Sequence, residues 1–247
     1  MPDGAARVPP RIIAFEEIDS TNLEARRRVE AGERGPLWLT AGRQTAGRGR
    51  RGRAWSSEDG NLAATLLTTT RRPPLEAAQI AFVAALAVAD LADAYAPPSL
   101  VSLKWPNDTL LAGRKLSGVL VESGPLEGGL WLAVGIGVNL ASAPAEVERP
   151  ATCLADHAGG PPPRPLEALH VLARAMERWL AVWDGAGFPA VAQAWTARAH
   201  GLGARCEVRL SAETLHGVAE GLDPDGALRL RADDGAVRRI TAGDVFF

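Results

Sequence analysis

The chain has 247 residues, 47% of them apolar and 23% charged, with a formal net charge of −2. This is enough for one large domain, or a large one and a small one, around a sizeable core. The near-neutral balance excludes a broadly basic nucleic-acid binder, and the two cysteines, Cys153 and Cys206, are too far apart for a zinc site or a disulfide framework, so they read as buried reduced thiols.

The opening MPDGAARVPPR has no apolar core and does not read as a leader. Ile12 to Phe15 reads as a short strand. In the T-N-L-E beginning at Thr21, the hydroxyl is placed to cap a helix and Glu24 to reach back, the capping-box spacing. Leu37 to Thr40 is a strand that runs into an arginine-rich loop, and Leu62 to Thr69 is the next strand. Leu75 to Ala96 reads as one long helix, its Ile80, Val83, Ala84, Ala87, Leu91 stripe recurring at helical spacing. The most apolar part, Ile80 to Ala89, is too short to cross a bilayer and ends at Asp90. A soluble cytoplasmic protein without a membrane partner is expected.

A run of strands follows: Leu100 to Lys104, then a hairpin of Thr109 to Leu111 and Lys115 to Glu122 around Ala112-Gly113, then Leu130 to Asn139, apolar enough to be central in a sheet. GGPPPRP, Gly159 to Pro165, is a loop. Pro165 to Trp183 is an amphipathic helix and Phe188 to Ala199 another. Cys206 to Leu210, Leu215 to Gly221, Ala227 to Arg231 and Val237 to Ile240 are short strands, with hairpin turns at Asp225-Gly226 and Asp234-Gly235. The pattern is an α+β domain with a mixed or antiparallel sheet over residues 1–200, then a small β-barrel over 201–247.

The loop TAGRGRRGRAW, Thr45 to Trp55, admits three readings: a solvated basic loop, an RG-type nucleic-acid segment, or an anion-binding loop in an active site. Glycines expose backbone N–H groups and let the chain approach a phosphate, while arginines supply planar, permanently charged forks. No Gly-Lys-Ser/Thr follows, so it is not a Walker loop. Guanidiniums this close repel, so the loop should be mobile without an anion and close over one, as a lid does.

A second cluster, KWPNDTLLAGRKLSGVLVES from Lys104 to Ser123, puts polar residues at strand ends, where ligands are usually held. Lys104 and Lys115 flank a hairpin and are placed to face one cavity. Asn107 and Asp108 suit a phosphate oxygen or a metal, and Gly118 leaves room for something flat against the backbone. Plain turn chemistry, with Lys115 reaching to solvent, explains the same residues.

DSTN (Asp19 to Asn22), GRGRRGRAW (Gly47 to Trp55), KWPND (Lys104 to Asp108), RKLSGVLVE (Arg114 to Glu122) and GIGVN (Gly135 to Asn139) together resemble, in order and spacing, the motifs of the biotin–protein ligases. The resemblance covers nearly the whole chain. It implies a class II synthetase-like catalytic domain with an SH3-like barrel, and formation of biotinyl-5′-AMP from biotin, ATP and Mg²⁺. A lysine of a biotin carboxyl carrier protein domain would then take the biotinyl group. With few residues before Ile12, the chain looks like the class lacking a DNA-binding domain, with no nucleic-acid partner. An exposed sheet face leaves room for a homodimer.

The resemblance further implies site roles. Ser20, Thr21 and Asn22 would hold the ureido group, with Gln44 lining the same pocket. Gly47, Arg48, Gly49 and Arg50 would wrap the carboxylate and phosphate, and Lys115 would bridge the two; Arg50 and Lys115 are the candidate catalytic residues. Gly118 would floor the biotin site. Lys104 and Asn107 would contact phosphate, Asn139 the nucleotide, and Asp108 a metal or the incoming lysine. Trp55 and Trp105 read as core or wall, and the scattered His157, His170, His200 and His216 carry no metal-ligand spacing. The nearest alternative is a lipoate ligase; GRGRRGR followed by KWPND favours biotin. An alternative of another class is a non-enzymatic nucleic-acid binder using the arginine loop.

Overall fold

The computed structural model describes residues 11–247 except Glu146 and Glu148; the opening MPDGAARVPP lies outside the described residues. Strand Ile12–Ile18 (β1) leads into helix Thr21–Glu30 (α1) and returns through Leu37–Gln44 (β2) and Leu62–Thr70 (β3). After the helices come Val101–Lys104 (β4), Asp108–Leu111 (β5), Arg114–Leu126 (β6) and Gly129–Val138 (β7). These form a seven-stranded sheet in the order β1-β2-β3-β7-β6-β5-β4. Only β1 and β2 pair in parallel, joined by the α1 crossover; the other neighbours are antiparallel. The apolar run of Leu130 to Val138 therefore lies at the centre, as a strand buried on both faces should.

The sheet is covered on both faces. On one, Ala25 and Val29 of α1 pack with Leu37, Leu39, Leu67 and Ala133. On the other, the helix Ile80–Asp93 (α3) and the long helix Pro165–Thr196 (α4) close the main core. Residues 74–93 are apolar and long enough to cross a membrane by composition, further than the Ile80 to Ala89 window suggested, and most of that stretch is buried in the core.

The single helix expected from Leu75 to Ala96 is instead a short Pro74–Ala77 helix (α2) followed by α3. The two are separated by a tighter turn at Ala78-Gln79, where the hydrogen bonds pass from i+4 to i+3 spacing and buried Gln79 accepts a hydrogen bond from Trp183 Nε1 at 3.3 Å. A buried polar group needs such a partner, and no periodicity within α3 foretells it. The two helices expected after Pro165 join end to end in α4 across a break at Gly187, whose φ of 75° favours glycine.

The C-terminal module is a five-stranded antiparallel sheet of Arg205–Arg209 (β8), Thr214–Leu222 (β9), Leu228–Ala232 (β10), Val237–Ile240 (β11) and Asp244–Phe246 (β12), in the order β11-β10-β9-β8-β12. This is the expected SH3-like barrel with one strand more than the sequence reading gave. β12 is only three residues long and carries no alternation to detect. Trp105 Nε1 donates to Gly226 O at 3.0 Å, and His200 N to Leu103 O at 2.7 Å, tying the module to β4 and the turn after it.

Candidate active site

A cleft of about 810 Å³ lies beside the sheet, walled by the first turn of α1, the end of β2, the arginine loop, the β4–β5 turn, β6, β7, the residues Pro144, Ala145, Val147, Arg149 and Ala151, and Asp244 of β12. Its two ends differ in chemistry.

One end is neutral and internally hydrogen-bonded. Asp19 accepts Ser20 N–H at 2.7 Å and a bidentate pair from Arg27, which fixes the entry to α1; the Arg27 hydrogen bond, first among the causes, lowers the Asp19 carboxyl to about 2. Thr21 donates from its backbone N (2.8 Å) and its hydroxyl lies 3.1 Å from the same atom, Gln44 Oε1. Gln44 Nε2 donates to Ser57 Oγ at 3.1 Å. Asn22 Nδ2 donates to Glu122 Oε2 at 2.7 Å, and Thr65 Oγ1 stands 2.7 Å from Asn22 Oδ1 and 2.8 Å from Thr21 Oγ1. A Cβ at Gly135 would overlap Asn22 Oδ1, so that glycine makes room for the carboxamide. The expected capping box does not form: Ser20 is the N-cap with no side-chain cap, and Glu24 binds Arg27 and Arg28 instead. The Thr21 hydroxyl is turned to Gln44 and Thr65, away from the helix end.

The other end is charged. Asp108, almost fully buried, sits 2.8 Å from Lys115 Nζ, 3.3 Å from Arg149 Nη1 and 3.7 Å from Lys104 Nζ. Burial raises its pKa, but Lys115, Lys104 and Arg149 outweigh burial and hold the carboxyl below its usual range. Lys104 is buried and its Nζ makes no hydrogen bond. Desolvation, reinforced by Arg149 and Lys115, lowers it to about 8 despite Asp108.

The arginine loop completes this end. Arg50 donates to Asn107 Oδ1 at 2.7 Å and to Gly243 O at 2.8 Å. Arg53 Nη2 reaches Asp244 Oδ1 at 2.7 Å, Arg51 Nη1 reaches Asp244 Oδ2 at 3.2 Å, and Arg149 Nη2 lies 3.5 Å from Asp244. Burial raises the pKa of Asp244, and the arginines more than offset it, so this carboxyl too stays ionised. The loop was expected to be mobile without an anion and to close over one. In this fold Asp244 supplies one.

Trp55, at the end of the loop, lies against the sheet. A Cβ at Gly137 would overlap its indole, and one at Gly118 would come within 3.4 Å. Lys115 Nζ is 5.8 Å from the Trp55 ring centroid, within cation–π range.

The fold thus brings Ser20, Thr21, Asn22, Gln44, Arg48, Gly49, Arg50, Asn107, Asp108, Lys115, Gly118 and Asn139 to one cleft. Gly47 is buried just behind it, accepting Trp55 N–H at 3.0 Å. Lys104 does not line the cleft; it backs Asp108 from within. Asn107 is engaged with Arg50 and donates to Val119 O, and Asn139 donates to Thr152 O at 3.1 Å. Asp108 does not suit a metal, since three cations already surround it and no group of three metal-ligating side chains gathers among the described residues. Trp105 is core and Trp55 is wall. Sequence reasoning missed Thr65, Glu122, Arg149 and Asp244. Thr65 is one of four threonines in β3 and nothing in the pattern singles it out; Glu122 stands in RKLSGVLVE without a role of its own, and Arg149 and Asp244 left no signal.

The family model of the biotin/lipoate A/B protein ligases matches residues 14–140, and that of the biotin protein ligase C-terminal domain matches residues 201–247. The chain is 46% identical over 235 residues to a biotin–acetyl-CoA-carboxylase ligase of Paracoccus denitrificans, covering 93% of this chain and 97% of that one. It is 35% identical to the enzyme of that name from Mycobacterium tuberculosis, covering 93% and 86%. Among solved structures it is similar to a biotin protein ligase from Aquifex aeolicus in complex with biotin and ATP, with TM-score 0.79, 28% identity and coverage of 96% and 97%.

Proposed function

The chain belongs to the biotin/lipoate A/B protein ligase family, and on that premise we propose how its cleft works. The protein is an ATP-dependent biotin protein ligase: it activates biotin as biotinyl-5′-AMP and transfers the biotinyl group to a lysine of a carboxylase's biotin carrier domain. In the first step a biotin carboxylate oxygen attacks the α-phosphorus of ATP, the bond to the β-phosphate oxygen breaks, and pyrophosphate leaves. In the second, the lysine amine attacks the carbonyl carbon, loses a proton as the amide forms, and expels AMP.

The observation that carries this reading is the two-ended cleft. A neutral, hydrogen-bonding end suits a cyclic urea, and a cationic end suits two anions that must meet. No protein nucleophile is needed. What the first step needs is fixed positive charge where the transition state gathers negative charge. Lys115 bridges the carboxylate and α-phosphate; Arg48 and Arg50 flank them, and Gly47 and Gly49 let the loop close over them, the Gly49 N–H itself donating to Arg53 O at 2.7 Å. Ser20, Thr21, Asn22 and Gln44 hold the ureido ring, and Gly118 floors it. Because Trp55 rests on Gly118 and Gly137, the ring must slide aside to become a wall of the loaded site. Asn107 and Asn139 serve phosphate and nucleotide, Lys104 acts through Asp108, and Asp108 faces the incoming amine.

Among the described residues the cleft offers no ligand set for a magnesium ion, since Asp108 is already paired with Lys115 and Arg149; such an ion would arrive with the triphosphate and offset its charge. Residues 1–200 form the ligase unit in this reading, and 201–247 the barrel that contributes Asp244 to the cleft. We place the enzyme in the cytoplasm; the large sheet, covered by helices on both sides, does not offer the exposed face expected for a homodimer, and sedimentation reads out the oligomeric state. The deciding experiment is incubation with ATP, Mg²⁺, labelled biotin and a carrier domain. One labelled lysine and release of AMP are expected; consumption of lipoate but not biotin would overturn the reading.

A further inference from the structure

We propose that Thr65 is the positioning residue that presets the polarity of the ureido pocket: by giving its proton to Asn22 and staying an acceptor toward Thr21, it joins Gln44 in leaving Thr21 to accept the ligand's hydrogen bond rather than donate one. The inference rests on the biotin reading above.

Thr65 lies on β3, opposite Gly135 of β7, on the face covered by α1. It is fully buried and does not line the cleft. A hydroxyl buried among leucines and alanines costs free energy unless it is paired, so its partners say what it does.

Those partners are two side chains of the cleft, and the proton count is restrictive. Asn22 Nδ2 is spent on Glu122 Oε2 at 2.7 Å and on Leu120 O at 3.4 Å, which turns Oδ1 toward Thr65. Oδ1 can only accept, so the single Thr65 proton goes to it across 2.7 Å. The Thr65 oxygen is then left as an acceptor 2.8 Å from Thr21 Oγ1. Thr21 has two takers for its own proton, Thr65 Oγ1 and Gln44 Oε1, and both belong to the protein. Either way Thr21 turns a lone pair to the cleft. A ligand N–H is welcomed there; a second acceptor is not. The ureido ring of biotin carries two such N–H groups, whereas a dithiolane carries none.

The test compares Thr65→Val, which keeps the shape and removes the hydroxyl, with Thr65→Ser, which keeps the hydroxyl. In pyrophosphate exchange, Thr65→Val should raise the KM for biotin about tenfold, the scale of one lost buried hydrogen bond. The KM for ATP and kcat should stay within about twofold, and Thr65→Ser should restore the biotin KM to near the wild-type value. Desthiobiotin, which keeps the ureido group and lacks the sulfur ring, should suffer the same loss in Thr65→Val as biotin. An unchanged biotin KM, an equal rise in both KM values, no rescue by serine, or a loss confined to biotin would each overturn the assignment. Failure of the wild-type protein to exchange pyrophosphate with biotin would instead overturn the underlying reading.

Discussion

The two ends of the cleft solve opposite problems. At the vitamin end, Thr21, Asn22, Gln44 and Thr65 satisfy one another across a buried face of the sheet, and the charged groups beside them, Glu122 and the Asp19–Arg27 pair, are each hydrogen-bonded to the protein. At the phosphate end, Lys104, Lys115, Arg50, Arg51, Arg53 and Arg149 gather around Asp108 and Asp244. Neutral groups can wait for a neutral ligand at no electrostatic cost. Cations held close together cannot wait alone, so the fold supplies internal carboxylates, a role that substrate phosphates would take over in the proposed reaction. The vitamin end is therefore built over the core, while the phosphate end joins strand-end residues of β4, β5 and β6 to the arginine loop and a second module.

The largest effect that would sharpen this contrast belongs to Lys115. Lys115→Ala should slow adenylation by about 10²–10³, the loss expected for one preorganised electrostatic group, with the KM for biotin little changed. Near-normal pyrophosphate exchange would break the assignment. Arg50 ties the loop to both Asn107 and Gly243, so Arg50→Gly should open the loop and release biotinyl-5′-AMP into solution roughly tenfold faster. Chromatography of the medium without carrier protein checks this, and adenylate retained as in the wild type would contradict it.

Asp244→Asn removes the internal anion of Arg51, Arg53 and Arg149. It should raise the KM for ATP about three- to tenfold and leave the KM for biotin within about twofold, since the arginines lose the partner that holds them in place. Equal shifts in both constants would mean that the two ends are not separable.

The smallest effect concerns pH. Lys104 titrates near 8 when folded against 10.5 when unfolded, mainly through burial. Between those values the unfolded chain binds more protons, so stability rises with pH across the window, by on the order of 1 kcal/mol. Lys104→Met removes that slope. Thermal denaturation should find the variant's advantage over wild type largest near pH 7.5 and shrinking by pH 9.5. A gap independent of pH would show that Lys104 is not desolvated.

Much of this was legible in the residues themselves. Leu130 to Val138, apolar on both faces, had to be central, and the Ile80 to Leu91 stripe had to face the core. Twelve of the expected site residues line one cleft because GRGRRGR, KWPND and RKLSG each sit at a strand end, and the sheet order gathers those ends. Local chemistry misled in two places. T-N-L-E has capping spacing, but the Thr21 hydroxyl faces Gln44 and Thr65 in the site. The helix from Leu75 is interrupted at Ala78-Gln79, and Gln79 is hydrogen-bonded to Trp183 far along the chain.

The sequence by itself determined the strands, the core stripes and which residue types could handle anions and a polar ring, because periodicity and side-chain chemistry are local. Only the tertiary structure decided which charges neutralise one another and which hydroxyl directs which. Asp244 meets the arginine loop from the far end of the chain, and Thr65 meets Asn22 across the sheet. Coulombic and hydrogen-bond energies depend on distances of a few ångströms between residues that the chain keeps far apart, and only the closed fold sets those distances.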